Sequence, residues 1–281
     1  MDLEKFFDQV NHDLLMQKIK EKISDTLLLS LINRFLKSGA EVNGSFTPSA
    51  KGVPQGGPLS PLLSNIMLND LDWELSKRGH LFVRYADDCN IYIKSKRAGE
   101  RVLATIESFI VNRLKLRVNR EKSAVDRPWK RTFLGFTFTR SGRKPARIKV
   151  SDKAIKAFKE KVRKITRRTR GIKIQDIVFE LSLMLSGWKE YFHLAETKTV
   201  FKDLDKWIRR RLRCVQLKQW DRSGYKELKK RGVSTRLAWN TAKSAHGPWR
   251  LSQSPAVVIA LPLKHWVSLG LVLLFTPDNK T

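Results

Sequence analysis

The sequence holds only two cysteines, Cys89 and Cys214, among 281 residues. Two thiols are too few for a disulfide framework or a cysteine-based zinc site, which excludes small stapled secreted folds and cysteine-rich nuclease modules. A reducing compartment, and hence a cytoplasmic location, is the expectation that follows. Acidic residues are scarce as well: 27 against 56 lysines and arginines, a formal net charge of +29 and a pI near 10.4. So large an excess of one sign selects a polyanionic partner, with nucleic acid ahead of an anionic membrane surface. A long apolar run is also missing. The nearest to one, Ala256 to Phe275, is broken by Pro262, Lys264, His265 and Gly270. It reads as a buried helix pair and not as a membrane span. The opening MDLEKFFDQ lacks the basic-then-apolar layout of a signal peptide.

What is present is enough to build a core, with 41% hydrophobic residues. From Asp2 to about Arg147 helical and strand patterns mix, whereas beyond Ser151 the apolar spacing is helical and the charge densely basic. The Ser/Gly/Pro-containing stretch SGRKPAR marks a boundary between Ser141 and Ser151. In the first part, LFVRYADDCNIYI predicts strands at Leu81 to Tyr85 and Asn90 to Ile93, meeting at a turn that contains Asp87 and Asp88. Val102, Leu103, Ile106, Phe109 and Ile110 predict an amphipathic helix, and Phe133 to Phe138 a further strand. In the second part, Ala154, Ile155, Phe158, Val162 and Ile165 form an apolar stripe behind Ser151 as N-cap. Another helix carries Leu204, Trp207, Ile208, Leu212 and Val215, with Trp207 expected in the core.

Three segments carry candidate chemistry. Two adjacent carboxylates in Tyr85-Ala86-Asp87-Asp88 repel each other, so a bound cation explains them; a solvated acidic turn is the other reading. Around Asp2, the alternation of Leu3 and Phe6 fits a strand running into a helix. If the fold brings Asp2 to Asp87, the two can bridge divalent ions that serve an attacking 3′-hydroxyl and a leaving pyrophosphate; alone, Asp2 is an ordinary acid. Hard carboxylate ligands suit magnesium. The segment KGVPQGGPLSPLLSNIMLNDLD runs from a Gly/Pro loop into a helix, with Ser60 as N-cap and Pro61 at the first helical position. Gly56 and Gly57 permit close backbone approach, and the helix start favours phosphate; a plain tight loop is again the alternative.

In this order, the three segments resemble the motifs of the reverse transcriptase family in its group II intron-encoded branch. Asp2 with Phe7 and Asp8 resembles the first palm motif, PQGGPLSP at Pro54 to Pro61 the second, and YADD the third. NREKS at Asn119 to Ser123 and FLGF at Phe133 to Phe136 resemble the two that follow, while LSGWKEYF and LDKWIRRRLR resemble the thumb-like maturase domain. The resemblance implies an α+β fold: a right-hand polymerase palm over 1–145 with an antiparallel sheet, an all-helical thumb over 151–245, and a C-terminal extension over 246–281. It implies that Asp2, Asp87 and Asp88 bind Mg2+ and carry catalysis. Phe7 would lie under the incoming sugar and exclude a 2′-hydroxyl, unless it is a core aromatic beside Phe6. Gln55 and Gly56 would touch the nascent pair or template. Lys122 would approach the departing pyrophosphate, or be a surface lysine.

Independently of the resemblance, arginine-rich helices near Trp188, Tyr191 and Trp207 offer phosphate contacts and stacking platforms. Lys164, Arg167, Arg168, Tyr191, Arg209, Arg210, Arg211 and Arg213 are the RNA-binding candidates. The reading as a whole is an RNA-directed DNA polymerase that helps its intron splice. Its partners would be template and intron RNA, a DNA primer or target and deoxynucleoside triphosphates, with no membrane. One departure is the start of the chain one residue ahead of Asp2, where the family carries fingers motifs, so a truncated product is expected. The alternative is a non-catalytic RNA-binding maturase remnant.

Overall fold

The computed structural model describes residues 1–38, 40–42, 45–47, 51–54, 56–140, 142 and 145–276, without the side chains of 40–42 and 45–47. It divides into two compact units, Met1–Arg127 and Pro128–Thr281. The division falls before Ser141 because the strand after Gly135 pairs within the second unit, Phe136 opposite Val150.

The first unit opens with three helices, α1 Phe6–Gln9, α2 His12–Lys20 and α3 Thr26–Lys37. The starts of α2 and α3 are set by capping side-chain oxygens. Asn11 accepts from the Leu14 amide at 2.9 Å, and Asp25 from Leu27 and Leu28 at 2.8 and 3.1 Å. A short ribbon, β1 Ala40–Val42 with β2 Ser45–Thr47, leads to α4 Ser60–Lys77. Then come the hairpin β3 Leu81–Tyr85 and β4 Asp88–Tyr92, and α5 Lys96–Phe109. Leu63, Met67, Leu68, Leu71 and Leu75 bury one side of α4 against Phe6, Leu15, Ile19, Ile106, Ile110 and Leu114. This core lies wholly within the unit.

Two expectations need correction here. The second strand begins at Asp88 and not Asn90, so Asp88 sits in the ladder opposite Tyr85 and only Ala86 and Asp87 form the turn. Ser60 is the first residue of α4 and not its cap; Leu59 holds the cap position, and the Ser60 hydroxyl instead donates to the Pro54 carbonyl, closing the loop before the helix.

The hairpin is not alone. Met1 and Cys89 exchange both backbone hydrogen bonds, at 2.7 and 2.9 Å, a pattern that antiparallel partners alone make. Leu3 bridges Val118 on its other side, with Glu4 donating to Arg117 and Asn119 donating to Asp2. The N-terminal segment is therefore a central strand between β4 and residues 117–119.

The second unit pairs β5 Phe136–Phe138 with β6 Ile148–Val150 and continues as helices. These are α6 Asp152–Ile165, α7 Ile174–Tyr191, α8 Lys198–Trp220, α9 Gly224–Lys230, α10 Thr235–Ala242, α11 Pro248–Leu251, α12 Pro255–Ala260 and α13 Leu263–Ser268. Ser151 caps α6 through the Ala154 amide at 3.2 Å, as its position predicts. Phe158, Val162, Leu181, Leu185, Leu204, Ile208, Leu212 and Val215 form the core. FLGFTF is not one strand: Phe133 and Phe136 close a turn in which Leu134 and Gly135 take φ of +50° and +78°, and only Phe136–Phe138 is extended.

The segment after His246 packs into that same core. Ala256, Val257, Leu261, Trp266, Leu271 and Leu274 are all buried, and Trp266 is fully so. Side chains of α7 and α8 hold its backbone: Ser182 Oγ donates to Gly270 at 2.8 Å, and Asp205 accepts from Leu274 and Phe275 at 3.0 and 2.9 Å. Burial raises the Asp205 pKa, while those two amides work in the opposite direction. Among the described residues no helix is long and apolar enough to cross a membrane.

Candidate active site

Register fixes where the first-unit acids lie. The reciprocal Met1–Cys89 pair makes Asp88 the residue opposite Asp2, and side chains alternate across a strand. Leu3 and Cys89 face the core at 3% and 1% exposure. Asp2 and Asp88 consequently share the opposite side of the sheet, with Asp87 one residue further along at the turn. On that side β3 also presents Leu81, Val83 and Tyr85, all exposed. Backbone pairing thus brings the first and third motifs side by side.

Neighbouring contacts set the site's electrostatics. Lys122 brings its ammonium to 3.4 Å from the Asp2 carboxylate, while Ser123 Oγ accepts from the Asp2 amide at 3.0 Å. Burial pushes the Cys89 thiol up to about 11, so it stays neutral beneath the acids. Among the described residues no group of three or more His, Cys, Asp or Glu is arranged to hold a metal ion. Magnesium does not demand such a group; it binds through one or two carboxylates, retains waters and takes substrate phosphates. Asp2 and Asp88 on one open face, with hard oxygen donors, fit that requirement.

The second motif is tied to the first. Gly52 donates to Val10 at 2.7 Å and Val53 to Phe7 at 2.6 Å, while His12 Nε2 lies 2.6 Å from the Gly52 carbonyl oxygen. A Cβ at Gly52 would stand 2.8 Å from the Phe7 carbonyl oxygen, and its φ is +98°, so glycine alone allows this approach. Phe7 is half-buried, its ring edge-on to Phe6 at 5.3 Å and packed against the core. Gly56 takes φ +83° in open space, and Gln55 lies outside the described residues.

Two residues that sequence reasoning missed brace the acidic turn. Arg84, on the core-facing side of β3, forks onto Asp72 of α4, with Nε to Oδ1 at 2.7 Å and Nη2 to Oδ2. Its Nη1 donates to the Ala86 carbonyl at 2.9 Å and to Asn65 Oδ1 at 3.1 Å. The hydrogen bond to Asp72 raises the arginine's pKa, against the pull of burial. Ala86 takes φ +51°, a conformation costing an L-residue roughly 1–2 kcal/mol. An arginine at an inward strand position was the available signal, because a charge there requires a partner. A groove of about 820 Å3 lined by Leu81, Tyr92 and Arg101 lies at the other end of the hairpin, so concavity alone does not locate these acids.

In the second unit the RNA-binding candidates separate into two groups. Lys164, Arg167 and Arg168 are exposed around the C-terminal end of α6. Arg210, Arg211 and Arg213 are half-buried and engaged with protein. Arg211 donates to Thr166 Oγ1 at 3.0 Å and to the Thr166 carbonyl at 3.2 Å, Arg213 donates to Leu261 at 3.2 Å, and Arg210 stacks on Trp249 at 3.9 Å. Burial lowers the pKa of both Arg211 and Arg213. Arg209 is half-buried beside Asp205. Trp207 is half-buried on the apolar stripe of α8, with Lys159, Arg163 and Arg211 about its ring at 5.8 to 6.0 Å. Tyr191 is 54% exposed, but its hydroxyl donates to Leu134 at 3.0 Å. FLGF and WKEYF, far apart in sequence, meet there: a Cβ at Gly135 would stand 3.1 Å from Phe192.

A family model described as reverse transcriptase (RNA-dependent DNA polymerase) matches residues 1–138, and one described as group II intron, maturase-specific domain matches residues 155–233. Protein YkfC of Escherichia coli K12 is 33% identical over 158 residues, 44% of this chain and 42% of that protein. Group II intron-encoded protein LtrA of Lactococcus lactis is 44% identical over 71 residues, 25% of this chain and 12% of that protein. The RNA-directed DNA polymerase from mobile element jockey of Drosophila melanogaster is 33% identical over 107 residues, 34% of this chain and 12% of its own length. In each case the matched stretch spans less than half of the relative.

Proposed function

The chain belongs to the reverse transcriptase family, in the branch that joins that domain to a group II intron maturase-specific domain, and on this premise we propose that it is an RNA-directed DNA polymerase that also binds its intron RNA. Asp2, Asp87 and Asp88 are the metal-binding acids. The observation that carries this reading is that Asp2 and Asp88 occupy facing positions on the open side of one sheet, one residue from Asp87.

Bound magnesium would supply charge neutralisation at the reacting phosphate and a lowered pKa for the attacking 3′-hydroxyl. The chain's own residues do the rest. The sheet holds the carboxylates at fixed spacing, and the exposed part of Phe7 walls the sugar site against a 2′-hydroxyl, favouring deoxynucleoside triphosphates. Lys122, beside Asp2, offers a cation and a proton donor to departing pyrophosphate. The glycine-bearing loop at Gly56 lets template backbone approach, and exposed Lys164, Arg167 and Arg168 contact RNA phosphates.

Primer extension on an RNA template with deoxynucleotides and magnesium, comparing the chain with Asp87→Asn, is the test. Extension lost in the variant by on the order of a thousandfold supports the polymerase reading. No extension from either protein overturns it and leaves the RNA-binding maturase remnant, which salt-sensitive RNA binding would then identify.

A further inference from the structure

We propose that Arg84 is a positioning residue for the acidic turn: clamped by Asp72, it holds the Ala86 carbonyl and thereby fixes the turn from which Asp87 projects. This rests on the reading of Asp2, Asp87 and Asp88 as metal ligands. Strand alternation sends Arg84 to the same side as buried Cys89, and its side chain is only 9% exposed. A buried guanidinium with one partner would satisfy only part of its donor set. Here Asp72 takes Nε and Nη2, and Nη1 remains directed at Ala86 and Asn65.

The planar fork is what permits this. One rigid group holds a helix and a hairpin turn together, which a lysine, with its single point charge, cannot do. The turn needs such support. Two-residue hairpin loops usually place glycine where φ is positive, whereas this one has Ala86 at +51°. A strained conformation persists when its surroundings over-determine it, and the Arg84 bond does so at the residue next to Asp87. Metal ligands lose affinity when the groups that orient them are removed, by roughly ten- to a hundredfold.

Mn2+ binding to the full chain, followed by electron paramagnetic resonance, separates positioning from mere stability when read beside thermal unfolding. The proteins compared are the parent, Asp87→Asn, Arg84→Met, Arg84→Lys and the charge swap Arg84→Asp with Asp72→Arg. The swap can restore the ion pair between β3 and α4 but not the bond to Ala86. Positioning predicts Mn2+ affinity reduced about tenfold or more in Arg84→Lys and in the swap, even where the swap recovers the parent's melting temperature. Should Arg84→Met fail to fold, Arg84→Lys, which keeps the charge, carries the comparison. Recovery of both melting temperature and Mn2+ affinity in the swap overturns the proposal while leaving the metal site intact. A parent that binds Mn2+ no better than Asp87→Asn removes the metal reading itself, and the brace with it.

Discussion

In the first unit the charged groups of interest are acids on short strands and their turn, Asp2 being brought to Asp88 by backbone hydrogen bonds between segments distant in sequence; in the second the exposed bases lie together in one stretch at the end of α6. Asp2 owes its position to Cys89 and Asn119, whereas Lys164, Arg167 and Arg168 follow from one continuous stretch of chain. A sheet site is consequently sensitive to any change that moves one strand against another. A basic surface that meets phosphates at a range of distances, as proposed here for Lys164, Arg167 and Arg168, tolerates loss of single charges. The two hydrophobic cores are likewise separate, one wholly within each unit.

The largest test of this separation is Trp266→Ala. Trp266 is fully buried, and large-to-small changes at such aromatics cost about 3–5 kcal/mol. Calorimetry should show the second unit melting earlier and the first unit unmoved. A single transition displaced as a whole would break the comparison and show the two cores to be one cooperative system.

Next in size is Gly52→Ala. The added Cβ meets the Phe7 carbonyl oxygen at 2.8 Å in a backbone conformation that disfavours any side chain. We expect about 2–3 kcal/mol of destabilisation, confined to the first unit, with primer extension falling further than stability alone explains. Unchanged stability would mean that the loop is not seated on Phe7 in solution.

How much of this was legible in the sequence differs between the units for the same physical reason. In the second unit α6 and α8 announce themselves by period, and Ser151 by its capping position. The acidic turn was legible because YADD lies in one short run. The central-strand role of Met1 to Leu3 was not, because hydrogen bonds to Cys89 and Asn119 leave no local pattern. Arg84 was legible only as an inward charge in need of a partner; that the partner is Asp72 depends on how β3 lies against α4. Ser60 misled because a serine before a helix is usually a cap, and here the Pro54 carbonyl competes for its hydroxyl. Arg211 and Arg213 stand in a basic run that suggests solvent, and their carbonyl partners could not be read from it, because they come from Thr166 and Leu261, distant in sequence.

That last distinction yields a third, smaller effect. Replacing Lys164, Arg167 and Arg168 together with alanine should flatten the dependence of log RNA affinity on log salt by about 2, since each lost phosphate contact removes roughly 0.7 on single-stranded RNA. The melting temperature should barely move. Arg213→Ala should do the reverse, destabilising the second unit by about 1–2 kcal/mol with little change in salt slope. If Arg213→Ala flattens the slope as much as the triple variant, the division of the arginines into structural and RNA-facing groups fails.

The smallest expected effect is a pH dependence confined to the second unit. Burial, and then the nearby positive charge of Arg231, lower the pKa of His265 on α13 below its ordinary 6.5. The unfolded chain therefore takes up a proton first as the solution is acidified. Stability contributed by the neutral imidazole is fully present above about pH 6.5 and is lost as pH falls from there toward the folded value. Burial acts on Asp205 with the opposite sign: a carboxyl whose folded pKa is raised gains stability as it protonates, in a more acidic range. Comparing the parent with His265→Phe at each pH cancels the Asp205 contribution, because both proteins share it. Between pH 7.5 and 5.5 the melting temperature of the parent's second unit should fall more than the variant's, and the first unit, which the substitution does not touch, should show no difference. Parallel curves for the two proteins would mean that His265 titrates in the folded chain as it does in the unfolded one.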